Sequence, residues 1–161
     1  MADLFQIRRA CAHDGPSVLA CLAAAFAPYR DQYTALALAD TILDSASIQE
    51  RIRDMCVLVA ESGAEAFEGR IIGTIGCKAK GAEGHLRGMA VLPEWQGTAV
   101  ASSLLEAAEA ELRSTGCELV TLDTTRPLER AIGFYRRHGF VSSERVTDFF
   151  GMELFEYKKR L

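Results

Sequence analysis

The chain has 161 residues, of which 49% are apolar and 25% are charged, and its formal net charge is −4. This length favours one domain, residues 1–161, with a sizeable core, and the composition excludes a disordered chain. An acidic chain without a long basic run argues against nucleic acid as a partner.

The number and spacing of the cysteines indicate the redox compartment of the protein. The five of them show neither a C-x-x-C motif nor a paired metal-ligand spacing, so no metal site is predicted. An odd number argues against a complete disulfide framework and favours reduced thiols. The N-terminus has no apolar signal core and no apolar run reaches membrane-spanning length. We therefore expect a soluble, cytoplasmic protein without a membrane contact.

The first half of the chain reads as a strand, two helices and a hairpin. Weak alternation predicts a strand over residues 4–11, and Asp14 is expected to cap a helix that ends near Pro28. A polar and aromatic connection, 29–34, precedes a second helix over about 36–53. Apolar and β-branched content predicts strands over 55–61 and 71–80.

The second half alternates strands and helices. Strands are predicted over 85–92, 118–123, 140–146 and 152–158, with helices over about 99–114 and 127–137. The order β-α-α-β-β-β-α-β-α-β-β predicts a mixed α/β (α+β) layer fold, with a hairpin-linked antiparallel half.

One stretch, Pro93 to Leu112, predicts an anion site. It begins after an apolar strand and contains small residues before an amphipathic helix, P-E-W-Q-G-T-A-V-A-S-S-L-L. Backbone N–H groups at a helix start have no partner within the helix, and the helix dipole favours negative charge there. Neither G-x-x-x-x-G-K-[ST] nor G-x-G-x-x-G is present, which leaves the pattern Q-x-x-A-x-A.

At these residues the chain resembles a GCN5-related N-acetyltransferase (GNAT), whose acetyl-CoA loop reads [RQ]-x-x-G-x-[GA]. The match is sharpest over residues 86–140, where a second segment, A-I-G-F-Y-R-R-H-G-F, follows the loop at the expected distance. The resemblance implies a central mixed, mostly antiparallel sheet flanked by helices, with acetyl-CoA as co-substrate.

The resemblance also implies a set of cofactor residues. The loop would wrap the pyrophosphate, mostly by backbone N–H groups, and the preceding strand would offer backbone hydrogen bonds to the pantetheine arm. The loop and helix-start residues are Gln96, Gly97, Thr98, Ala99, Val100, Ala101 and Ser102, and the strand residues are Met89, Ala90 and Val91.

Two positions depart from the family pattern. Ala99 replaces the central glycine of the loop, and we expect a right-handed conformation there, which suits a helix start. Leu128 replaces an asparagine that often precedes the A-I-x-F-Y segment, which removes a possible cofactor contact.

Acetyl transfer from a thioester needs a neutral amine, a polarised carbonyl and a protonated leaving thiolate. A backbone N–H between Met89 and Val91 would polarise the carbonyl, and Tyr135 matches the tyrosine that protonates the thiolate in the family. Asp123 and His85 are candidates for the base, as is Glu94. Water-mediated deprotonation without a dedicated base is the alternative.

Acceptor selection is expected to involve the connection between the first two helices. Tyr29, Asp31 and Tyr33 lie there, and an acidic residue beside aromatic rings suits a cationic amine. The sequence therefore predicts an N-acetyltransferase that acts on a primary amine of a small molecule. The alternatives are a protein amine as acceptor and a non-catalytic CoA-binding domain. A homodimer is a common state of the family.

Overall fold

The computed structural model describes residues 4–161, apart from the side chain of Phe67. Residues 1–3, which belong to the N-terminal stretch without a signal core, lie outside the described part. The strands are β1 (Phe5–Arg9), β2 (Cys56–Ser62), β3 (Ile71–Lys80), β4 (Glu83–Val91), β5 (Leu119–Thr125), β6 (Val141–Phe149) and β7 (Met152–Arg160). The α-helices are α1 (Gly15–Phe26), α2 (Ala35–Ile42), α3 (Ser45–Asp54), α4 (Val100–Ser114) and α5 (Glu129–Arg137). Short 3₁₀ helices cover Ala12–Asp14, Ala27–Gln32, Glu65–Phe67 and Pro93–Trp95.

The strands form one seven-stranded sheet in the order β1-β2-β3-β4-β5-β7-β6. Neighbouring strands are antiparallel except for β4 and β5, which are parallel and are connected through α4. A parallel pair needs such a crossover, whereas β3 and β4 are joined by a tight turn. The predicted mixed, mostly antiparallel sheet is confirmed.

The sheet opens between β4 and β5. The parallel ladder joins residues 83–86 of β4 to 119–122 of β5. Beyond it, among the residues that the structure describes, β4 pairs only with β3, and β5 pairs only with β7. A register shift between β3 and β4 falls at the same level, where Gly88 has a left-handed φ of 67°. This bulge bends β4 away from β5, because an extra residue increases the local twist of a strand.

Helices cover both faces of the sheet. Gly84 faces α4, since a Cβ at that position would lie 2.6 Å from Leu112. Arg87, three residues later, contacts Asp40 of α2, so the opposite face carries the first helices. Gly73 also leaves room for α4, because a Cβ there would lie 2.9 Å from Val100. Within residues 4–161 no helix combines the length and apolar character that crossing a membrane requires.

The predicted single helix over 36–53 is wrong, because the structure has two helices there. Leu43 adopts a left-handed φ of 62° and ends α2. Asp44 then caps α3: its carboxylate accepts from the backbone N–H of Ser47, and the Ser47 hydroxyl accepts from the backbone N–H of Asp44, both at 2.9 Å. This reciprocal pair satisfies two backbone donors and starts a new helix. The element order therefore contains one more helix than predicted.

Candidate functional site

A cleft of about 770 Å³ opens where β4 and β5 separate. Its wall includes β4, β5, the start of α4, α5, the helical segment before β2, and the β6–β7 hairpin. The volume lies within the range of small-molecule sites in proteins, about 300–1,000 Å³. The cleft therefore brings together parts of the chain that are far apart in sequence.

The loop before α4 contributes to the wall of the cleft. Gly97 has a left-handed φ of 78°, whereas Ala99 has φ −73° and ψ −3°, so the predicted right-handed conformation of Ala99 is confirmed. The Thr98 hydroxyl donates to the carbonyl of Trp95 and accepts from the N–H of Val100 at 3.4 Å. These hydrogen bonds turn the chain into α4 and leave the next backbone N–H groups at the helix start without intrahelical acceptors.

Eight of the ten sequence-predicted cofactor residues line the cleft: Met89, Ala90, Val91, Gln96, Gly97, Thr98, Ala101 and Ser102. Ala99 and Val100 are not among the lining residues. The Val100 side chain is fully buried and packs at Gly73 in the core. For Ala99 and Val100, only the backbone is suited to the predicted role.

Arg130, on α5, is a cation at the loop that sequence reasoning missed. Its Nη1 donates to Gln96 Oε1 at 3.2 Å, and Gln96 Nε2 donates to the Val91 carbonyl at 3.0 Å. The Gln96 side chain thus connects the end of β4 to Arg130. A single-sequence signal for this contact does not exist, because it depends on how α5 docks beside the loop.

These features fit a pyrophosphate. The start of α4 presents backbone donors, Gly97 lets a ligand approach the backbone, and Arg130 adds a positive charge. In the part of the chain that the structure describes, no group of three or more His, Cys, Asp or Glu side chains is arranged to hold a metal ion.

Tyr135 lies in the cleft wall with only 7% of its surface exposed. Its ring packs edge-on against Phe134 and Phe140, with centroid distances of 5.4 and 5.7 Å. Burial raises the pKa of its hydroxyl above the ordinary value, which keeps it protonated at neutral pH. Burial is the sole cause of this shift, and no hydrogen bond from the described residues contributes to it, so the hydroxyl is available to a ligand.

Two of the three candidate bases lie together in the cleft. His85 Nε2 is 3.6 Å from Asp123 Oδ2, and His85 Nδ1 is 2.9 Å from the Thr121 hydroxyl. Burial raises the pKa of Asp123, a shift that the positive charge of His85 opposes and the negative charge of Glu156 adds to. Glu94 is exposed on the 3₁₀ helix Pro93–Trp95 and is not a lining residue.

Two of the three residues predicted to select the acceptor line the cleft. Tyr29 and Tyr33 line the cleft, and the Tyr33 hydroxyl is hydrogen-bonded to Thr125 of β5. Asp31, the third predicted residue, is exposed and is not among the residues that line the cleft. With three residues per turn in the 3₁₀ helix Ala27–Gln32, a residue two positions after Tyr29 points elsewhere.

Three charged residues that line the cleft belong to no motif in the sequence. They are Asp40, Arg51 and Arg87, from α2, α3 and β4. Arg87 Nη2 forms an ion pair with Asp40 Oδ2 at 2.7 Å. Periodicity predicts the elements that carry these residues but not the cleft that they share.

Comparison with known proteins places these features in a family. The sequence model described as the acetyltransferase (GNAT) family matches residues 20–140. The N-alpha-acetyltransferase MAK3 of Arabidopsis thaliana is 30% identical over 97 residues, which cover 56% of this chain and 51% of that protein. The aminoglycoside N(6')-acetyltransferase type 1 of Stenotrophomonas maltophilia is 38% identical over 66 residues, 41% of this chain and 43% of that protein. The chain thus spans about half the length of these curated relatives.

Solved structures share the fold over nearly the whole chain. The PaiA N-acetyltransferase of Thermoplasma acidophilum, solved with coenzyme A, superposes with a TM-score of 0.79 at 20% identity, over 98% of this chain and 99% of that one. The ribosomal-protein-alanine N-acetyltransferase of Brucella melitensis gives a TM-score of 0.70 at 22% identity, over 97% and 99% of the two chains.

Proposed function

The chain belongs to the acetyltransferase (GNAT) family, and from this premise we propose that it moves an acetyl group from acetyl-CoA directly to a primary amine of a small molecule. The observation that carries the proposal is that Tyr135 and the predicted carbonyl-polarising strand, Met89 to Val91, line the same cleft as the loop before α4. A phosphate-binding loop, an acid and a polarising backbone are the parts that this chemistry needs.

The cofactor would lie along the opening between the two central strands. Bound acetyl-CoA would supply a thioester acetyl group. The start of α4 and Arg130 would hold the pyrophosphate, and the Met89–Val91 backbone would hold the pantetheine arm and orient the carbonyl. The PaiA structure with coenzyme A supports this ligand class for the fold.

Side chains of this protein would then carry out two proton transfers. The amine nitrogen forms a bond to the carbonyl carbon, the carbon–sulfur bond breaks, and the Tyr135 hydroxyl donates its proton to the departing sulfur. The proton lost by the amine would go to Asp123, with His85 beside it, or to water. The raised pKa of Asp123 makes its carboxylate a better proton acceptor than an ordinary aspartate.

The walls of the cleft support a small acceptor. Tyr29 and Tyr33 lie on the helical side, and Phe149 and Leu154 of the β6–β7 hairpin also line the cleft. The two regions also touch, because the Thr34 hydroxyl donates to the Phe150 carbonyl at 2.9 Å, and this contact supports a small acceptor. The named relatives include an aminoglycoside acetyltransferase and an N-alpha-acetyltransferase, so a protein amine is the second candidate acceptor.

A non-catalytic CoA-binding domain is the rival from another class. The sequence features that would favour it are Ala99 and Leu128, which depart from the family pattern. Ala99 adopts an ordinary right-handed conformation, so this substitution brings no backbone strain to the loop. Leu128 lines the cleft as an apolar residue.

We further propose a cytoplasmic location and a homodimer. All five cysteines are free thiols, which supports a reducing compartment. Edge strand β6 exposes the apolar side chains of Val141 and Val146, which supports a contact with a second copy.

An acceptor screen tests the proposed function. Free thiol release from acetyl-CoA is followed with small amines, amino acids and peptides, and mass spectrometry identifies an amide-linked acetyl group. Acetylation of small amines is expected. Acetylation of peptides alone would support a protein amine as the acceptor instead. Thiol release without an acetylated amine would contradict acetyl transfer to an amine.

A further inference from the structure

We propose that the amine acceptor carries a carboxylate and that Arg51 binds this group. The inference rests on the proposed acetyl transfer and names the chemical class of its acceptor: a small amino carboxylate, such as an amino acid. Arg51 would then be a residue that determines specificity.

Arg51 lies at the point where the sheet opens. It is a half-buried lining residue of the cleft, projecting from α3. Its Nη1 would be 2.5 Å from a Cβ at position 88, so the guanidinium lies against the backbone of Gly88. Gly88 directly precedes Met89, where the acetyl carbonyl is proposed to bind. Arg51 is therefore beside the expected position of the reacting groups.

The charges around Arg51 do not balance. Arg87 and Asp40 are the charged groups that act on it, and they already form an ion pair with each other at 2.7 Å. Within residues 4–161, no carboxylate is ion-paired with Arg51. The cluster of Arg51, Arg87 and Asp40 thus holds two positive groups and one negative group, and its net charge is +1. The other acid of the cleft, Asp123, lies beside His85.

This excess charge is costly without a ligand. Burial and the positive charge of Arg87 lower the pKa of Arg51 to about 10, against the opposing effect of Asp40. Arg51 stays charged at neutral pH, yet its partly desolvated charge lacks a full counterion. An anion that enters the cleft would offset the unfavourable free energy of this unpaired charge and accept hydrogen bonds from the guanidinium.

A carboxylate fits this site best. The planar fork of a guanidinium matches the two oxygens of a carboxylate, and such hydrogen bonds are stronger than neutral ones. One negative charge also neutralises the net +1 of the cluster, whereas a dianionic phosphate would leave an excess of negative charge. The carboxylate of an acceptor would thereby fix the position of its amine at the cleft.

The test compares free amino acids with the matching amino-acid amides as acceptors. The amides keep the side chain and the amine but lose the negative charge. Their amines are also less basic, so more of each amide reacts as the neutral amine, and a preference for the carboxylates cannot come from basicity. We expect kcat/KM to favour the carboxylates by about 10- to 100-fold.

The variant Arg51→Met should remove this preference, mainly by raising KM for the carboxylates, and Arg51→Lys should restore part of it. Arg53→Met is the matched control. Arg53 is exposed on the same helix, is ion-paired with Asp54 at 3.2 Å and does not line the cleft. It should keep the preference. Acetyl-CoA affinity, measured for each variant, should stay close to the parent value, and the melting temperature of Arg51→Met should be no lower than that of the parent.

The possible outcomes distinguish a failure of the carboxylate inference from a failure of the proposed acetyl transfer. If the parent protein acetylates the amides as well as or better than the carboxylates, the inference is overturned but acetyl transfer stands. An equal loss for both acceptor sets in Arg51→Met also overturns it. If Arg51→Met fails to fold, the parent's preference and Arg51→Lys decide. If acetyl-CoA does not bind at all, the proposed function fails and this inference falls with it.

Discussion

Replacing Tyr135 by Phe removes the proposed acid and little else. The hydroxyl has no hydrogen-bond partner among the described residues, and the ring keeps its edge-on contacts with Phe134 and Phe140 at 5.4 and 5.7 Å. We therefore expect a change in the free energy of unfolding below about 1 kcal/mol. The cofactor loop lies on other elements, so acetyl-CoA affinity should be retained.

The expected effect on turnover is large. A positioned general acid contributes about 10²- to 10⁴-fold to rate, or about 3 to 5 kcal/mol of activation free energy. Burial raises the pKa of Tyr135, so the hydroxyl carries its proton when the reaction begins. Without this proton donor, kcat should fall by that factor while KM for acetyl-CoA changes little.

The assay is thiol release under saturating acetyl-CoA, together with calorimetric binding of acetyl-CoA. Tyr157→Phe is a matched control, because Tyr157 is also buried, with 6% of its surface exposed, but does not line the cleft. Its hydroxyl accepts from Arg136 at 3.2 Å. The control should keep full turnover. An unchanged kcat in Tyr135→Phe would refute the acid role, and a loss of binding would show that Tyr135 holds the cofactor instead.

Three further substitutions test other parts of the account. Gly97→Ala forces a side chain into a left-handed φ of 78° and should weaken acetyl-CoA binding about tenfold in calorimetry. The control Gly116→Ala, at φ 89° and away from the cleft, should leave acetyl-CoA binding unchanged. Equal effects of the two substitutions on binding would contradict the role of the loop. Asp123→Asn should lower kcat/KM by about 10²-fold and remove the acid limb of its pH profile, whereas a persisting limb would leave water or another group as the base. Asp14→Asn breaks a two-hydrogen-bond ion pair with Arg8, at 2.8 and 2.9 Å, and should lower the free energy of unfolding by about 2–3 kcal/mol at pH 7 in denaturant titrations. The hydrogen bonds from Arg8, together with its charge, lower the pKa of Asp14 in the folded state well below its unfolded value of 3.8. This stabilisation is therefore fully present above pH 3.8 and shrinks progressively as pH falls from there towards the folded pKa. A difference between the two proteins that is as large at pH 2 as at pH 7 would contradict the assignment.

Local patterns predicted the strands and helices because each carries its own signal. The strand, small-residue turn and helix around Gly97 predicted the loop, and the structure places most of the predicted cofactor residues along one cleft. The break at Leu43 was missed although Asp44 and Ser47 form a capping box. The apolar spacing on both sides continues well enough to suggest one helix, and a left-handed leucine has no sequence signature.

The contacts between distant elements could not be predicted. Arg130 reaches the loop only because α5 docks beside it, and Arg51 meets Gly88 only because α3 packs near the bulge in β4. Asp31 shows the converse: it is close to Tyr29 in sequence but is not among the residues that line the cleft. Identity and spacing fix which residues share an element, whereas tertiary packing decides which of them share a site.

Binding of acetyl-CoA tests the central claim most directly. A ligand that binds only the folded state at 100 times its Kd stabilises that state by about 2.7 kcal/mol, which corresponds to a rise in Tm of about 5–10 °C for a chain of this size. Thermal unfolding of the unmodified protein should show this rise with saturating acetyl-CoA. An unchanged Tm would contradict the account.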